Sequence, residues 1–321
     1  MRILLLGGTV FLGRHVAAEA LARGHELTLF TRGLHGMDLF PEAEHVQGDR
    51  DGDLAGLRGR AWDAAIDTSG YAPAQVAASA SLDVGHYVFV SSVNAYPDWP
   101  EQPVDEGSRV WEDGDDYGPL KVACERAAEA ALPGHVACVR AGLIVGPHDN
   151  VFRLPWWVRR IARGGEVPAP GDPARPVQVM DARDLAAFMV DLAARGVAGT
   201  FNGTAPIGQG TMGDLLAAAV AATGARARLR WVPDDRLEAA EVEPWTELPL
   251  WLPARFAGTW AVGTERAHAA GLRCRPVAET VADVAAWLSA GGEAELSDWR
   301  AEMRPPPMSD ERERELLALA Q

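Results

Sequence analysis

A tyrosine and a lysine four residues apart, Tyr117 and Lys121, open a predicted helix that runs through Ala131. Residues at this spacing share one helical face. An ammonium beside a phenol favours the phenolate and lowers the pKa of the phenol, so such a tyrosine can exchange a proton with a ligand near neutral pH. A serine hydroxyl from Ser91-Ser92, which ends an earlier apolar run, could hold the oxygen of a substrate across the pocket. We therefore predict that Tyr117, Lys121 and one of these serines are the catalytic residues.

A glycine-rich loop lies between the first apolar run of the chain and a helical pattern. Its sequence is Gly7-Gly8-Thr9-Val10-Phe11-Leu12-Gly13. In this context the free N–H groups and the dipole of the helix N-terminus attract a pyrophosphate. Gly7 permits the tight turn and Gly13 the close packing of helix on strand, whereas Val10 replaces the usual middle glycine. The loop predicts a dinucleotide site; the alternative is a plain strand–turn–helix corner.

The end of the second predicted strand bears on the choice between NAD and NADP. NAD enzymes usually place an acid there to hold the ribose hydroxyls, but this chain has Thr31-Arg32-Gly33. Arg32 could pair with a 2′-phosphate, assisted by Arg14; alternatively it only solvates the strand end. We predict NADP in preference to NAD. Further cofactor contacts are expected from Thr31, Asp49 (adenine amino group), Arg50 (adenine ring), Ser69, Ser91, Tyr117 and Lys121.

Short apolar runs alternate with helical patterns along the chain, which predicts βαβ units. The predicted fold is α/β, with a Rossmann-type, doubly wound parallel sheet and a smaller, discontinuous substrate lobe. The predicted strands are residues 2–6, 26–30, 45–47, 64–67, 87–90, 136–140 and 176–180. The predicted helices are residues 12–23, 117–131, 182–194, 279–290 and 310–319. Residues 1–146 and 177–204 are assigned to the dinucleotide-binding domain, and residues 147–176 and 205–321 to the substrate lobe.

Together these motifs resemble the short-chain dehydrogenase/reductase superfamily in its extended branch, the NAD-dependent epimerase/dehydratase family. The similarity extends over the glycine loop, Ser91-Ser92 with Tyr96, Tyr117 with Lys121, Arg140 through Gly146-Pro147, and Asp181-Ala182-Arg183-Asp184-Leu185-Ala186. It implies that Ser92 is the catalytic serine and Tyr117 the general acid/base. It also implies that Lys121 binds the nicotinamide ribose and depresses the pKa of Tyr117, and that a hydride moves to or from the nicotinamide.

Two departures set the chain apart from the sugar-nucleotide enzymes of that family. The 4,6-dehydratases carry an Asp-Glu pair just after the serine, where this chain has Val93-Asn94. The epimerases commonly have an asparagine two residues after the arginine of the sixth strand, where this chain has Arg140-Ala141-Gly142. The form Gly-Gly-Thr-x-Phe-x-Gly resembles an atypical subgroup that includes chloroplast RNA-binding relatives.

The overall composition argues against several classes of binding partner. The 321 residues include 30 Lys and Arg against 45 Asp and Glu, a net charge of −15, which disfavours nucleic acid. No run reaches the ~18 apolar residues of a membrane span, so no membrane partner is expected. Cys124, Cys138 and Cys274 lack metal-ligand spacing and the histidines are scattered, so we predict no metal and a reducing, cytoplasmic setting.

Residues 98–116 connect Ser92 to Tyr117 and are expected to rim the site. They hold eight acidic residues and one arginine, which disfavours an anionic substrate and suits a neutral, cationic or aromatic one; the alternative is a solvated loop. The candidate substrate contacts are Asn94, Trp111, Arg153 and Trp156, although paired tryptophans are more often core. The exposed face of a helix is expected to carry Arg159, Arg160 and Arg163.

The predicted function is that of an NAD(P)-dependent oxidoreductase. It would transfer a hydride between nicotinamide and a carbonyl, alcohol or imine carbon of a small neutral or aromatic molecule, with Tyr117 as general acid/base. One alternative is an NAD-dependent epimerase/dehydratase of a nucleotide-sugar, which recycles its cofactor within the site. Another is a cofactor-binding sensor or scaffold without turnover. A small molecule is the expected partner, and relatives in the family often form homodimers.

Overall fold

A seven-stranded sheet forms the centre of the molecule in the computed structural model, which describes residues 1–52, 54–296, 298 and 300–320. The strands are β1 Arg2–Leu6, β2 Glu26–Thr31, β3 Glu44–Gln47, β4 Ala61–Trp62, β5 Ala64–Asp67, β6 Asp83–Val84, β7 Tyr87–Ser92, β8 Val136–Ala141, β9 Leu143–Val145, β10 Gly165–Pro170, β11 Pro176–Val177, β12 Val179–Asp181, β13 Gly199–Gly203, β14 Gly210–Thr211 and β15 Ala227–Val232. The helices are α1 Phe11–Ala22, α2 Pro73–Ala80, α3 Tyr117–Ala131, α4 Arg153–Ala162, α5 Ala182–Arg195, α6 Met212–Thr223, α7 Asp234–Ala239, α8 Glu265–Ala270, α9 Val277–Ser289 and α10 Asp310–Leu319.

The strand order of the central sheet is β13-β8-β7-β5-β1-β2-β3, and every neighbouring pair is parallel. The order reverses between β1 and β5, where Leu6 lies opposite Asp67. In doubly wound sheets, ligands bind outside the carboxyl ends of the strands at such a reversal. The predicted Rossmann-type α/β fold is confirmed, and its reversal point places the glycine loop at the expected edge.

The predicted strand at residues 176–180 does not belong to the central sheet. It is split into β11 and β12, and β12 pairs with β9. The seventh place is taken by β13, which pairs with β8. This strand was missed because glycines occupy both of its ends and leave too few apolar residues for a strand pattern.

Alternate residues of β1 enter two separate hydrophobic clusters, one on each face of the sheet. Leu5 belongs to a cluster with Val16 of α1 and Leu185 of α5. Leu4 belongs to another with Val76 of α2. Because helices cover both faces of the sheet, successive residues of β1 are all apolar from Ile3 to Leu6. Burial of each leucine contributes about 1.5–3 kcal/mol relative to exposure.

A further hydrophobic cluster, with members from Val145 to Leu316, is built by α4, α6, α9 and α10. Trp157 is at its centre, fully buried, with its indole Nε1 donating to the carbonyl oxygen of Pro249 at 2.6 Å. This cluster is separate from those of the sheet, but the exact domain boundaries stay a prediction. Among the described residues, no helix has both the length and the hydropathy that crossing a bilayer requires.

Two residues expected at a surface or a site lie in this core instead. Trp156 is 3% exposed, and its Nε1 donates to the carbonyl oxygen of Pro306 at 2.9 Å, so it offers no face to a ligand. Arg160 is buried in an ion pair with Glu313 of α10. Both predictions failed because the C-terminal segment, which packs on α4, is remote in sequence.

Candidate active site

The loop after β1 forms a cradle whose shape requires glycine, which has no side chain, at several positions. Gly7 and Gly8 have φ angles of +105° and +109°, which L-residues rarely adopt. A Cβ on Gly13 would lie 2.6 Å from the backbone nitrogen of Gly8. The N-cap residue of α1 is Val10, which offers no side-chain cap, and the first turn of the helix carries no acidic residue. Its first N–H groups are therefore left for an anion, and the predicted loop residues, Thr9 to Leu12 included, fit a pyrophosphate.

The two arginines expected near a 2′-phosphate differ in their surroundings. Arg32, just after β2, is exposed, and among the described residues its guanidinium has neither an ion pair nor a hydrogen bond. The hydroxyl of Thr31 accepts from the backbone N–H of Gly33 at 3.3 Å and shapes this turn. Arg14 is paired with Glu295 of the C-terminal segment, with 3.2 Å between Nη1 and Oε2. Arg32 is thus open to a ligand, whereas Arg14 already has an acidic partner.

Arg50 faces the protein rather than an adenine ring. Its guanidinium makes two 2.7 Å hydrogen bonds to the buried carboxylate of Asp67 and a third, of 3.2 Å, to Ser69 Oγ. Although burial alone raises the pKa of Asp67, the charge and hydrogen bonds of Arg50 hold that pKa below its usual value. The predicted stacking of Arg50 on the adenine ring does not match this inward position of its guanidinium. Asp49 is exposed, and its Oδ1 accepts from the N–H of Asp51.

The serine pair at the end of β7 is divided between two sides of the sheet, because successive strand residues point in opposite directions. Ser91 is 2% exposed, and its hydroxyl donates to Glu125. Glu125 also accepts two hydrogen bonds from Arg140, at 2.9 and 2.6 Å. The hydroxyl of Ser91 is therefore occupied within the core and is not available to the cofactor. Ser92 points the other way: its hydroxyl donates to Oδ1 of Asn94 at 3.0 Å, and its proximity lowers the pKa of the Tyr117 hydroxyl.

Lys121 is buried, 3% exposed, and is held by two backbone carbonyls. Its Nζ donates to the oxygens of Gly70 at 2.8 Å and Val90 at 2.9 Å. It lies 4.7 Å from the ring centroid of Tyr71 and 5.8 Å from that of Tyr117. Burial lowers the pKa of Lys121 to about 8. The ammonium is thus fixed at the carboxyl end of β7, beside the predicted acid/base.

Tyr117 begins α3 and keeps 42% of its side chain exposed. Desolvation raises the pKa of its hydroxyl, while Ser92 and Arg300 lower it. The pKa of Tyr117 is raised overall, so its lowering by Lys121, whose Nζ lies 5.8 Å from the ring centroid, stays a prediction. Arg300 was not predicted, because it lies 183 residues after Tyr117 in a segment without a periodic pattern.

The rim residues Asn94 and Trp111 are brought together. The indole Nε1 of Trp111 donates to the backbone oxygen of Asn94 at 3.0 Å. Gly118, at the start of α3, faces the same carbonyl so closely that a Cβ would not fit. Of the rim acids, Asp98 is paired with Arg109 and Glu106 accepts from the N–H of Asn202. The loop is therefore folded onto the end of the sheet, and part of its negative charge is neutralised.

Arg153, the first residue of α4, lies on the substrate side. Its guanidinium carbon is 5.3 Å from the ring centroid of Trp245. The carboxyl of Asp149 is 1% exposed, and its Oδ1 accepts from the N–H groups of Val151 and Phe152. Burial raises the pKa of Asp149 to about 6, with Arg153 acting in the opposite direction. In the described part of the chain, no group of three His, Cys, Asp or Glu residues could hold a metal ion.

A parallel doubly wound sheet, with a glycine cradle at its reversal point and a Ser, Tyr and Lys set near it, is similar to the arrangement of the extended short-chain dehydrogenases/reductases. The sequence model of the NAD dependent epimerase/dehydratase family matches residues 64–208 of this chain. A curated relative, chloroplast stem-loop binding protein of 41 kDa b from Arabidopsis thaliana, is 25% identical over 215 residues. That match spans 60% of this chain and only 54% of the relative.

Solved structures share the fold along nearly their whole length. The human epimerase family protein SDR39U1 (isoform 2) with NADPH is 23% identical with a TM-score of 0.61, covering 89% of this chain and 99% of that one. UDP-glucose 4-epimerase of Thermotoga maritima with UDP-glucose is 16% identical, with a TM-score of 0.67 and coverage of 91% and 99%. WbmH of Bordetella bronchiseptica with NAD+ is 18% identical, with a TM-score of 0.65 and coverage of 91% and 99%.

Proposed function

We propose that this protein is an NAD(P)-dependent oxidoreductase that interconverts a carbonyl and an alcohol on a small molecule. The observation that carries this proposal is the position of Lys121, which two backbone carbonyls hold 5.8 Å from the ring centroid of Tyr117, with Ser92 near enough to lower the pKa of that tyrosine. The three residues come from β7 and α3, and the phosphate cradle lies at the same edge. A structural role alone does not require a half-exposed tyrosine next to a serine hydroxyl and a buried ammonium.

Each residue has a task that follows from its position. When bound, NADPH supplies a hydride to the carbonyl carbon and leaves as NADP+. Ser92 donates a hydrogen bond to the carbonyl oxygen, and Tyr117 gives its hydroxyl proton to that oxygen, which completes the alcohol. Lys121, fixed by Gly70 and Val90, places a positive charge beside the phenolate that remains. The first N–H groups of α1 hold the pyrophosphate.

NADP is favoured over NAD by the end of β2. Arg32 is exposed there and open to a 2′-phosphate, where an NAD enzyme usually carries an acid. The human neighbour was solved with NADPH and the Bordetella neighbour with NAD+, so the fold accommodates either.

A nucleotide-sugar epimerase is the second candidate, because the fold also matches UDP-glucose 4-epimerase over most of both chains. The two functions differ in their use of cofactor. A reductase consumes NADPH in proportion to product, whereas an epimerase retains NAD and shows no net turnover of it.

Replacing Tyr117 by Phe tests the proposal. We expect NADPH consumption with a panel of carbonyl compounds to fall by about 100-fold or more, while NADPH binding measured by fluorescence stays within about twofold, a free-energy change smaller than that of one hydrogen bond. Tyr71→Phe is the matched control, since it removes the hydroxyl of the other tyrosine ring that Lys121 faces. Equal activity in wild type and Tyr117→Phe would show that Tyr117 is not the proton donor and would favour the scaffold.

A further inference from the structure

Three polar side chains recur along one side of α3, the helix that packs on β7. Tyr117, Lys121 and Glu125 are spaced four residues apart, so they lie on successive turns of that side. The ammonium of Lys121 donates to the backbone oxygen of Val90 at 2.9 Å, and the carboxylate of Glu125 accepts a hydrogen bond from the hydroxyl of Ser91. Two consecutive residues of β7 are therefore joined to two consecutive turns of α3.

The carboxylate of Glu125 is also held from a second strand. Arg140 of β8 donates to its two oxygens, at 2.9 Å from Nε and 2.6 Å from Nη2, and lies opposite Ser91 in the β7–β8 ladder. The side chains of Glu125, Arg140 and Ser91 are all buried. The carboxylate thus accepts three hydrogen bonds, two of which form a planar, charge-assisted pair of fixed geometry.

Arg140 is itself held by the turn after β7 and by β13. Its guanidinium carbon lies 4.7 Å from the ring centroid of Tyr96, a residue of that turn. The hydroxyl of Tyr96 donates to Oδ1 of Asn202 at 2.7 Å, and Asn202 lies opposite Arg140 in the β8–β13 ladder. The buried network therefore extends from α3 across β7, β8 and β13.

The first turn of α3 fits closely against the turn after β7. A Cβ on Gly118 would lie 2.2 Å from the backbone oxygen of Asn94. Closer approach of the helix is blocked at this point, and the hydrogen bonds of Lys121 and Glu125 oppose its retreat. A displacement of about 1 Å at a reacting group can cost about 100-fold in rate. The position of Tyr117 therefore depends on contacts about two turns further along the helix.

We propose that Glu125 is a positioning residue of the active site. Bound to Ser91 and Arg140, it sets the place of α3 on β7 and thereby the place of Tyr117 at the carboxyl end of the sheet. This proposal rests on the proposed oxidoreductase function, because it assigns a task within the same site. A buried ion pair is often no more stabilising than apolar side chains of similar volume, so stability alone does not account for this network. Glu125 and Ser91 are occupied by each other and act through the helix.

Two variants and a control separate position from stability. Ser91→Ala removes one hydroxyl and leaves the ion pair of Glu125 with Arg140, whereas Glu125→Gln keeps the size of the side chain and removes its charge. Thr28→Val is the control, because it removes a buried hydroxyl that accepts from the indole of Trp62, three strands from β7 in the sheet. We expect all three to lower the melting temperature. Only the first two should lower kcat for NADPH-dependent carbonyl reduction, by about 10- to 100-fold, with KM for NADPH within about twofold.

Fluorine NMR reports the position of Tyr117 without any substrate. The chain has four tyrosines, so labelling with fluorotyrosine gives a simple spectrum in which Tyr117→Phe identifies the resonance of Tyr117. In Ser91→Ala and Glu125→Gln we expect this resonance to move. We also expect the pKa of the Tyr117 hydroxyl to rise, because Ser92 lowers that pKa by its proximity. Thr28→Val should leave the resonance and the pKa unchanged.

An unchanged kcat and an unchanged Tyr117 resonance in folded Ser91→Ala would overturn the proposal. Circular dichroism shows whether each variant folds, and Ser91→Ala, which leaves the ion pair in place, decides the outcome where Glu125→Gln does not fold. If the wild type reduces no carbonyl while the Tyr117 resonance responds as expected, the oxidoreductase function fails and the positioning by Glu125 stands. If activity is lost in Tyr117→Phe but Ser91→Ala behaves like Thr28→Val, the function stands and the positioning fails.

Discussion

The pKa of Asp149 reflects the burial of its carboxyl group. It lies in the turn before α4 and is almost fully buried, and only one of its carboxyl oxygens, Oδ1, accepts hydrogen bonds among the described residues. A buried carboxylate with incomplete hydrogen bonding is costly in its charged form. This cost raises the pKa of Asp149 to about 6. The residue favours folding most when it is protonated.

A pH dependence of stability follows. The folded-state pKa lies above the ordinary value of 3.8, so the folded protein holds a proton that the unfolded chain releases. The contribution of Asp149 to the free energy of unfolding is fully present at pH values below its unfolded-state pKa. It is lost as the pH rises through about 6. Asp149→Asn keeps an oxygen for Val151 and Phe152 and avoids the charge. We expect it to match wild type near pH 4 and to exceed it at pH 7 by up to roughly 3 kcal/mol in the free energy of unfolding.

Urea unfolding at the two pH values measures this difference, with the exposed Asp115→Asn as control. A variant that is less stable than wild type at pH 7 would mean that the attraction between Asp149 and Arg153 outweighs the cost of burial.

At the scale of elements, the approach of α1 to β1 decides whether the cradle exists. Gly13→Ala would place a methyl group 2.6 Å from the backbone of Gly8, which cannot move without moving β1. We expect a loss of about 1–3 kcal/mol of stability together with weaker NADPH binding, since the loop must open. Gly52→Ala meets only ordinary contacts and serves as control. Thermal unfolding and cofactor titration provide the two readouts; undiminished NADPH affinity in Gly13→Ala would contradict a cradle at this loop.

The segment after α9 supplies an acidic partner to Arg14, an arginine that we predict to assist in binding a phosphate of the cofactor. Glu295 pairs with that arginine at 3.2 Å, and both side chains keep some exposure to water. Such a pair contributes less than about 1 kcal/mol. Glu295→Gln should therefore tighten NADPH binding by roughly two- to fivefold, by freeing Arg14 for phosphate. Glu293→Gln, which only removes a pair with Arg159, should leave the affinity unchanged; weaker binding in Glu295→Gln would indicate that Glu295 supports the site.

At the scale of the whole molecule, the net charge argues against an RNA-binding role. The curated Arabidopsis relative is named as a stem-loop binding protein, yet this chain carries a net charge of −15. Phosphate backbones are repelled by such a charge. We expect no binding of an RNA stem-loop at micromolar protein in physiological salt, measured by fluorescence anisotropy. Saturable binding that weakens with added salt would contradict this expectation.

What the sequence alone determined was local. Residues near one another in the chain define the glycine loop, the apolar strands, and the pairing of Tyr117 with Lys121 on one turn of α3. Their patterns follow from backbone geometry, so the Rossmann-type fold could be predicted, whereas the catalytic roles of Ser92, Tyr117 and Lys121 stay a proposal. The sequence did not show which side of β7 each serine faces, and Ser91 was assigned to the cofactor although it bonds Glu125.

Only the tertiary structure decided what distant segments bring to the site. Arg50 meets Asp67 and Arg160 meets Glu313, because chain folding places them together and no local periodicity records it. A long cationic side chain looks the same in sequence whether it is solvated, buried in an ion pair or aimed at a ligand. For that reason the predicted stacking of Arg50 on adenine and the predicted exposure of Arg160 were wrong.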